Sequence, residues 1–209
     1  VYPSGVVKVD AVFAPVGGDV AKLNVPRIGV RFRLPALMNQ VEYFGRGPGE
    51  NYVDRKMGTH VGLYKTTADQ MYFPYVRPQE NGHRTDTRSL ALTQKNGRGL
   101  TIIADSTIGF NALRNSIDDF DSEEALPHPR QWSNFSEAEA ANHNEEAARN
   151  VLRRMHHIND ITPRDFVEVC VDMMQQGVAG YDSWGAAPYG KYALSAGKEY
   201  KWGFTIVPR

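Results

Sequence analysis

The chain lacks the features that would mark a disulfide-bonded scaffold, a nucleic-acid binder or a membrane protein. Its only cysteine, Cys170, excludes an internal disulfide bond. Lysine and arginine total 24 and so do aspartate and glutamate, so no excess of positive charge points to nucleic acid. No apolar run approaches the roughly 20 residues that a membrane-spanning helix needs. We therefore expect neither nucleic acid nor a membrane among its partners.

Turn-forming and aromatic residues are abundant. The chain has 19 glycines, 12 prolines and 11 % aromatic residues, which favours β structure with many turns. Residues 5–16 and 28–34 alternate between apolar and polar side chains, as half-buried strands do. Further predicted strands are residues 41–44, 70–75, 89–94, 100–104 and 166–174. We expect one antiparallel all-β sandwich domain over residues 1–209.

The residue pattern predicts three local features. Residues 166–174 place Val167, Val169, Val171 and Met173 on one apolar face. The Asn96-Gly97 step predicts a hairpin between the strands on either side of it. A second hairpin is predicted between residues 192–194 and the strand that follows at 200–206.

Residues 117–155 interrupt the strand pattern with an inserted segment. The composition turns acidic, then basic, and becomes rich in alanine. Ser136 and Glu139 fit a capping box, and acids precede arginines as the helix dipole prefers. We predict a short helical insertion around residues 133–155. The adjacent His156 and His157 would point to different sides, which disfavours a metal site there.

The run of residues 74–88 concentrates polar groups between prolines and a glycine. Because so many charges would need partners in the interior, we expect an exposed, shaped loop that enters a strand at Ser89. Glu80, Asn81, Arg84 and Asp86 carry planar groups that suit the hydroxyls of a polyol, and His83 lies among them. The alternative is a salt-bridged loop, with Arg84 paired to Asp86 or Glu80. The segment alone favours that alternative.

Two further glycine-rich segments carry polar and aromatic side chains. Residues 175–185 place Trp184 on a loop, where complete burial is not expected. Its flat face suits the C–H face of a pyranose, and Asp182 could accept hydrogen bonds from sugar hydroxyls; alternatively the indole folds back onto the sandwich edge. Residues 44–55 hold Glu50, Asn51, Asp54 and Arg55, which could pair with one another or with a ligand.

Three segments together resemble one family. They are Tyr43-Phe44-Gly45-Arg46-Gly47-Pro48-Gly49-Glu50-Asn51-Tyr52-Val53-Asp54-Arg55, Tyr75-Val76-Arg77-Pro78-Gln79-Glu80-Asn81-Gly82-His83-Arg84 and Gly180-Tyr181-Asp182-Ser183-Trp184-Gly185. The family is the small-chain, C-terminal domain of the large bacterial β-galactosidases of glycoside hydrolase family 2. Order and spacing agree over residues 23–209. The resemblance implies a β-supersandwich related to the galactose-mutarotase-like fold, and a parent enzyme that hydrolyses terminal β-D-galactosides.

The resemblance also implies which chemistry lies elsewhere. In the family the two catalytic glutamates and a magnesium site lie on an upstream TIM barrel, which nothing in this chain matches. We therefore expect no catalytic residue, no cofactor and no metal ligand in this chain, and no glycosidase activity of this chain alone. We expect Mg²⁺ to be bound by the barrel. We expect the chain, which begins at Val1, to be the C-terminal half or two-thirds of the small-chain domain. Compared with the best-known members of the family, this chain has a longer segment at about residues 123–150.

For individual residues the resemblance implies that Trp184 reaches into the barrel's active-site mouth as a platform for the sugar on the leaving-group side. Glu80, Asn81, His83, Arg84 and Asp86 would line a vestigial sugar cleft or brace the loop, and bracing is favoured. The implied partners are galactosides, the barrel domain of its own chain and further copies in a homo-oligomer. Cytoplasmic and periplasmic locations are not distinguished.

Three other functions fit the same residues. The chain could be an independent carbohydrate-binding module, or an architectural domain that holds an oligomer together. It could also be an aldose-epimerase-like enzyme, with His83 or His156 as the acid and Glu80 or Asp182 as the base. The last of these requires an imidazole and a carboxylate that face each other across one cleft.

Overall fold

The computed structural model describes residues 1–16, 20, 23–120, 158–182 and 184–209. It divides into two compact units. The first comprises Val1–Tyr72, Asn81–Arg114 and Asp165–Arg209, and the second comprises Phe73–Glu80 and Asn115–Arg164. The predicted helix at residues 133–155 lies outside the described residues, as do Ser136 and His156. Division into one domain with an insertion at 117–155 stays a prediction.

The first unit is built from antiparallel strands and one short helix. In chain order these are β1 (Val7–Phe13), β2 (Arg27–Pro35), β3 (Gln40–Gly47), β4 (His60–Thr67), α1 (Ala68–Met71), β5 (Arg84–Thr93), β6 (Gly99–Leu113), β7 (Phe166–Gln175) and β8 (Tyr200–Pro208). A 3-10 turn covers Gly190–Tyr192. The described residues thus confirm the predicted all-β, antiparallel class.

The longest strand, β6, organises the sheet. One edge of β6 pairs with β5, with Leu90 opposite Ile102 and Arg84 opposite Phe110. The other edge is shared, because Leu100–Ala104 pair with β8 and Gly109–Leu113 pair with β7. The strand order is β1-β8-β6-β5-β3-β4, and β2 joins through β7. The branch at β6 brings polar residues of β2, β5, β6 and β7 together.

Apolar side chains that face one another across these strands form the core. The largest fully buried ones on strands are Val41, Tyr43, Leu90, Leu92, Ile102, Phe110, Val167 and Phe204. They come from five different strands, as expected for a core assembled by long-range pairing. On β2 the predicted alternation is confirmed, with Ile28 buried and Arg31 and Arg33 on the exposed parity.

The Asn-Gly hairpin is confirmed. Thr93 pairs with Gly99, the amide of Gln94 donates to the carbonyl of Arg98 at 2.8 Å, and Gly97 has φ +88°. A left-handed residue at this position of the turn is what favours glycine.

The prediction of a strand at residues 70–75 was wrong. Thr67 caps a short helix instead, since its hydroxyl accepts from the amide of Gln70 at 3.2 Å. Asp69 lies in the first turn, where a negative charge is favoured. The chain leaves the helix at Tyr72 in an extended conformation.

The second predicted hairpin was also wrong. Gly190–Tyr192 form a 3-10 turn, and β8 pairs with β1 and β6 instead of with residues 192–194. Leu194 is buried, and its carbonyl accepts from the amide of Val25 at 2.8 Å. Leu194 therefore pairs with Val25, about 170 residues earlier in the chain, and not with the nearby strand at residues 200–206.

β4 was not predicted, whereas the strand predicted at residues 166–174 is confirmed as β7 and differs only in its burial. β4 pairs with β3, but His60, Gly62, Lys65 and the threonines give it a weak strand pattern. β7 is buried on both faces, because Glu168 and Asp172 are only 3 % and 1 % exposed. The sequence analysis predicted one apolar face for this strand, and therefore underestimated how much of β7 is buried.

The second unit contains two single-turn 3-10 helices in its described part. Ser116 caps the first, Ile117–Asp119, and Asp119 closes a capping box onto the amide of Ser116 at 2.9 Å. The guanidinium of Arg164 binds both oxygens of the Asp119 carboxylate. The second is Ile158–Asp160. These contacts join the two ends of the segment that contains the undescribed residues 121–157.

Candidate functional site

The polar residues around the start of β5 are buried, not exposed. Asn81 and His83 are 1 % exposed and Arg84 is 5 % exposed, and the strand begins at Arg84 instead of Ser89. The expectation of an exposed loop holds for most of residues 74–80, but it was wrong for residues 81–85, whose polar groups find partners within the protein.

The imidazole of His83 is held by an amide from β6. Its Nδ1 lies 2.8 Å from Oδ1 of Asn111, whose Nδ2 donates to the carbonyl of Asn81 at 2.6 Å. Because the amide oxygen can only accept, Nδ1 of His83 carries the proton. The ring of Tyr52 stacks on the imidazole at 5.5 Å. Gly109 makes room on β6, where an added Cβ would come within 2.6 Å of the imidazole ring.

This environment keeps His83 neutral. Burial and then the positive charge of Arg27 lower the pKa of His83 to about 3, with a smaller contribution from Arg84. A neutral imidazole that is 1 % exposed does not offer a proton to a sugar, which argues against the epimerase role for His83. The other proposed acid, His156, lies outside the described residues.

Arg84 is bound by neutral oxygens. Its Nε donates to the hydroxyl of Tyr43 at 3.2 Å, and its Nη1 donates to the carbonyl of Gly82 at 3.0 Å. Burial, opposed by the charge of Arg84, raises the pKa of Tyr43. The guanidinium therefore fastens the start of β5 to β3.

The salt-bridged alternative paired Arg84 with Asp86, but Asp86 does not bind Arg84. It accepts instead from Nε of Arg46 at 2.8 Å and from Nζ of Lys56 at 3.0 Å. Burial would raise the pKa of Asp86, but the hydrogen bonds and charges of Arg46 and Lys56 outweigh burial and lower it. Asp86 has φ +53°, where the β5–β6 register shifts, so the bulge aims its side chain at these cations.

Asn51 fastens the glycine-rich loop after β3 to β5. It is 0 % exposed, and its Oδ1 accepts from the amide and hydroxyl of Thr85 at 2.9 and 2.6 Å. Its Nδ2 donates to the carbonyls of Arg46 and Gly49 at 2.9 and 3.1 Å. Both ends of the amide are thus used, which holds the loop in one position.

The charged residues of the same loop also bind protein groups. Glu50 accepts from Arg55 at 3.0 Å and from the amide of Gly82 at 2.8 Å. Asp54 accepts from the amides of Val178 and Ala179 at 3.1 and 2.8 Å. Of the two alternatives for these residues, the geometry favours pairing within the protein.

Trp184 lies on the loop after β7 and is 94 % exposed. This agrees with the expectation for a tryptophan on a glycine-rich loop and removes the alternative of an indole folded onto the sandwich edge. The amide of Trp184 donates to Oδ1 of Asp182 at 2.8 Å, which forms a local turn. Tyr181 and Tyr189 stack at 5.7 Å with 10° between their planes. The stacked pair links the two arms of the loop that carries the indole.

Ala179 has φ +50° in this loop. This left-handed conformation is unfavourable in free energy for a residue that has a Cβ atom. We expect Ala179→Gly to raise the free energy of unfolding by about 0.5–1 kcal/mol, since glycine adopts this conformation without strain. Urea unfolding of the 209-residue chain measures the difference. Ala193→Gly is the matched control, because Ala193 has φ −76° and should lose stability. Equal effects of the two substitutions would contradict the strain at Ala179.

Sequence reasoning missed the polar centre that joins β2, β6 and β7. Nε of Arg27 lies 3.1 Å from the carboxylate of Asp172, and Nη2 of Arg27 donates to Asn111 and Gln175, each at 2.6 Å. Asp172 is also 3.8 Å from Nδ1 of His83. The available signal was the two acids, Glu168 and Asp172, among the otherwise apolar residues 166–174 of β7.

The predicted site residues thus fall into separate groups. Asn81, His83, Arg84 and Asp86 lie at the start of β5, and Asp182 and Trp184 lie on the exposed loop after β7, all in the first unit. Glu80 belongs to the second unit. The sugar-binding roles of these residues stay predictions.

The described ranges lack both a cluster of metal ligands and a membrane-spanning helix. They contain no group of three or more histidine, cysteine, aspartate or glutamate side chains that could hold a metal ion. No helix in them is long and apolar enough to cross a membrane. The expectation about magnesium concerns a barrel outside this chain and stays a prediction.

Comparisons with known proteins agree with the resemblance found in the sequence. The family model described as "Beta galactosidase small chain" matches residues 1–206, so the match begins before residue 23. A β-galactosidase of Priestia megaterium is 32 % identical over 99 % of this chain and 17 % of that protein. One of Streptococcus thermophilus is 28 % identical over 94 % of this chain and 16 % of that protein. The chain therefore spans about a sixth of the length of these relatives.

Proposed function

Because the chain belongs to the β-galactosidase small-chain family, we propose that it is the domain of such an enzyme that supplies a sugar-binding platform at Trp184. The enzyme would hydrolyse terminal β-D-galactosides, with both catalytic glutamates and the magnesium ion on a barrel outside this chain. The observation that carries the proposal is the 94 % exposure of a large indole on a loop held by hydrogen bonds and stacked rings.

The chemistry of the indole supports a binding role. A flat aromatic face attracts the C–H face of a pyranose, yet a tryptophan is costly to leave in water. Asp182 supports the turn through one carboxylate oxygen, so its role toward sugar hydroxyls is secondary to positioning Trp184. Neither side chain is arranged for proton transfer, so the platform contributes binding and orientation.

The residues at the start of β5 support the platform from a distance in this proposal. His83 and Arg84 are enclosed and use hydrogen bonds to protein atoms. Asp86 is held between two cations. We assign them to bracing the loop after β3, not to a sugar cleft.

We expect Trp184→Ala in the complete enzyme to raise KM for lactose about tenfold, which corresponds to about 1.4 kcal/mol. The turnover number for a nitrophenyl galactoside should change by less than about twofold, because an aryl leaving group needs no sugar platform. Steady-state kinetics on both substrates measure the split. The aromatic variant Trp184→Phe should retain part of the lactose affinity.

Equal losses in KM and turnover for both substrates would contradict a platform on the leaving-group side. The independent binding module makes a different prediction, namely that the 209-residue chain binds galactose or lactose without the barrel. Titration calorimetry of this chain with both sugars separates the two functions. The platform proposal expects no measurable heat of binding.

A further inference from the structure

The carboxylate of Asp54 joins two loops that are far apart in the sequence. It accepts from two successive amides, those of Val178 and Ala179, at 3.1 and 2.8 Å. Gly177 lies so close that an added Cβ would be 2.6 Å from Oδ2 of Asp54. The amide of Gly177 in turn donates to the carbonyl of Tyr192 at 2.9 Å. Residues 177–179 are therefore fixed at the base of the loop that carries the exposed indole.

The side chain of Asp54 is itself on a rigid support. Tyr52 and Arg55 exchange backbone hydrogen bonds at 3.2 and 2.9 Å, which closes a tight turn around Asp54. Tyr52 is 1 % exposed and stacks on His83, and the preceding residue, Asn51, is fully buried. The carboxylate is thus carried by the buried part of the first unit, while its two donors belong to an exposed loop.

The backbone of that loop is shaped to meet the carboxylate. Ala179 and Gly180 have φ of +50° and +79°, so two successive left-handed residues follow the two donor amides. Hydrogen bonds from amides to a carboxylate are about twice as strong as neutral ones. Trp184 follows Ala179 by five residues, so a shift at residues 178–179 would move the indole.

We propose that Asp54 is a positioning residue for Trp184, and that it fixes the indole where the leaving-group sugar of the substrate must lie. This inference rests on the proposed function of Trp184. Asp54 would not touch the substrate, and its contribution would appear as substrate orientation.

The test uses the complete enzyme and a double-mutant cycle. We expect Asp54→Ala to raise KM for lactose about fivefold to tenfold, with less than about a twofold change in turnover of a nitrophenyl galactoside. Asp54→Asn keeps one acceptor oxygen and should have an intermediate effect. In a Trp184→Ala background, Asp54→Ala should change KM for lactose by less than about twofold. Asp10→Ala is the control, since the Asp10 side chain is 77 % exposed and pairs with Lys8.

Hydrogen exchange gives a readout that does not depend on activity. The amides of Val178 and Ala179 should exchange faster in Asp54→Ala and Asp54→Asn, and the amide of Thr85, bound by Asn51, should not. Unchanged exchange at residues 178–179 would overturn the inference, as would an Asp54→Ala effect on lactose that persists undiminished without Trp184. A Trp184→Ala enzyme with unchanged KM for lactose would instead overturn the proposed function, whatever the exchange rates show.

Discussion

Asp172→Ala is expected to lower the free energy of unfolding by about 3–5 kcal/mol, because it removes one partner of a buried ion pair. The carboxylate is 1 % exposed and lies 3.1 Å from Nε of Arg27, whose side chain is 17 % exposed. Without Asp172 the guanidinium keeps its charge in the interior and loses the carboxylate that compensates it. Urea unfolding of the 209-residue chain, followed by circular dichroism, measures the loss.

The same strand offers a matched control four residues away. Glu168 is equally buried, but its partners Arg31 and Arg33 have side chains that are 46 % and 52 % exposed. These arginines can turn to water when the carboxylate is removed, so Glu168→Ala should cost only about 1–2 kcal/mol. Equal costs at the two positions would contradict the argument, since both substitutions remove a buried acid from β7.

A second substitution at Arg27 separates charge from packing. If the cost of Asp172→Ala comes from an uncompensated cation, Arg27→Met should recover part of the stability in the Asp172→Ala chain. Should Asp172→Ala leave too little folded protein to measure, Asp172→Asn keeps the volume and removes only the charge. Because Asp172→Asn also leaves Arg27 uncompensated, adding Arg27→Met to it should likewise raise the free energy of unfolding.

The parts of the fold that were predicted correctly rest on local signals. Ile28 and the alternating residues after it predicted β2, and the Asn96-Gly97 step predicted the hairpin between β5 and β6. Each of these signals lies within a few residues of the structure that it specifies. The exposure of Trp184 was also predictable, because glycines on both sides keep the indole on a loop.

The parts that could not be predicted depend on partners distant in the chain. His83 can be buried because Oδ1 of Asn111, 28 residues later, accepts a hydrogen bond from its proton-bearing nitrogen. The carboxylate of Asp54 accepts a hydrogen bond from the amide of Val178, which lies 124 residues later in the chain. Alternation shows which residues share a face, but it cannot show that a second strand will place an amide or an arginine opposite a charge. Buried polar networks therefore look like exposed loops when only the sequence is considered.

The buried imidazole of His83 makes the stability of the chain depend on pH. We expect the wild type to lose about 2 kcal/mol of unfolding free energy between pH 6.5 and pH 4.5 because of this residue. An unfolded chain binds a proton on His83 below its ordinary pKa of 6.5, whereas the folded chain resists protonation down to about pH 3. Acid therefore favours the unfolded state through this window, and stability from His83 is fully present above pH 6.5.

The groups around His83 are consistent with this sign. Arg27 and Arg84 oppose a positive imidazole, and burial opposes it more strongly. Asp172 is 3.8 Å from Nδ1 and would favour protonation, but it lies closer to Arg27, at 3.1 Å. Asp86, whose pKa is lowered below 3.8, gives up its stabilising charge only at more acidic pH, outside the window.

His83→Gln tests the assignment. A glutamine amide can still donate to Asn111 but does not titrate, so the variant should be less stable than the wild type at pH 7. Between pH 6.5 and 4.5 it should lose about 2 kcal/mol less unfolding free energy than the wild type. Urea unfolding at four pH values measures both slopes, and the other five histidines contribute equally to the two chains. Nitrogen-15 spectra of the wild-type imidazole should show a neutral ring at pH 5. Parallel slopes, or a protonated ring at pH 5, would show that His83 is not the group that resists acid.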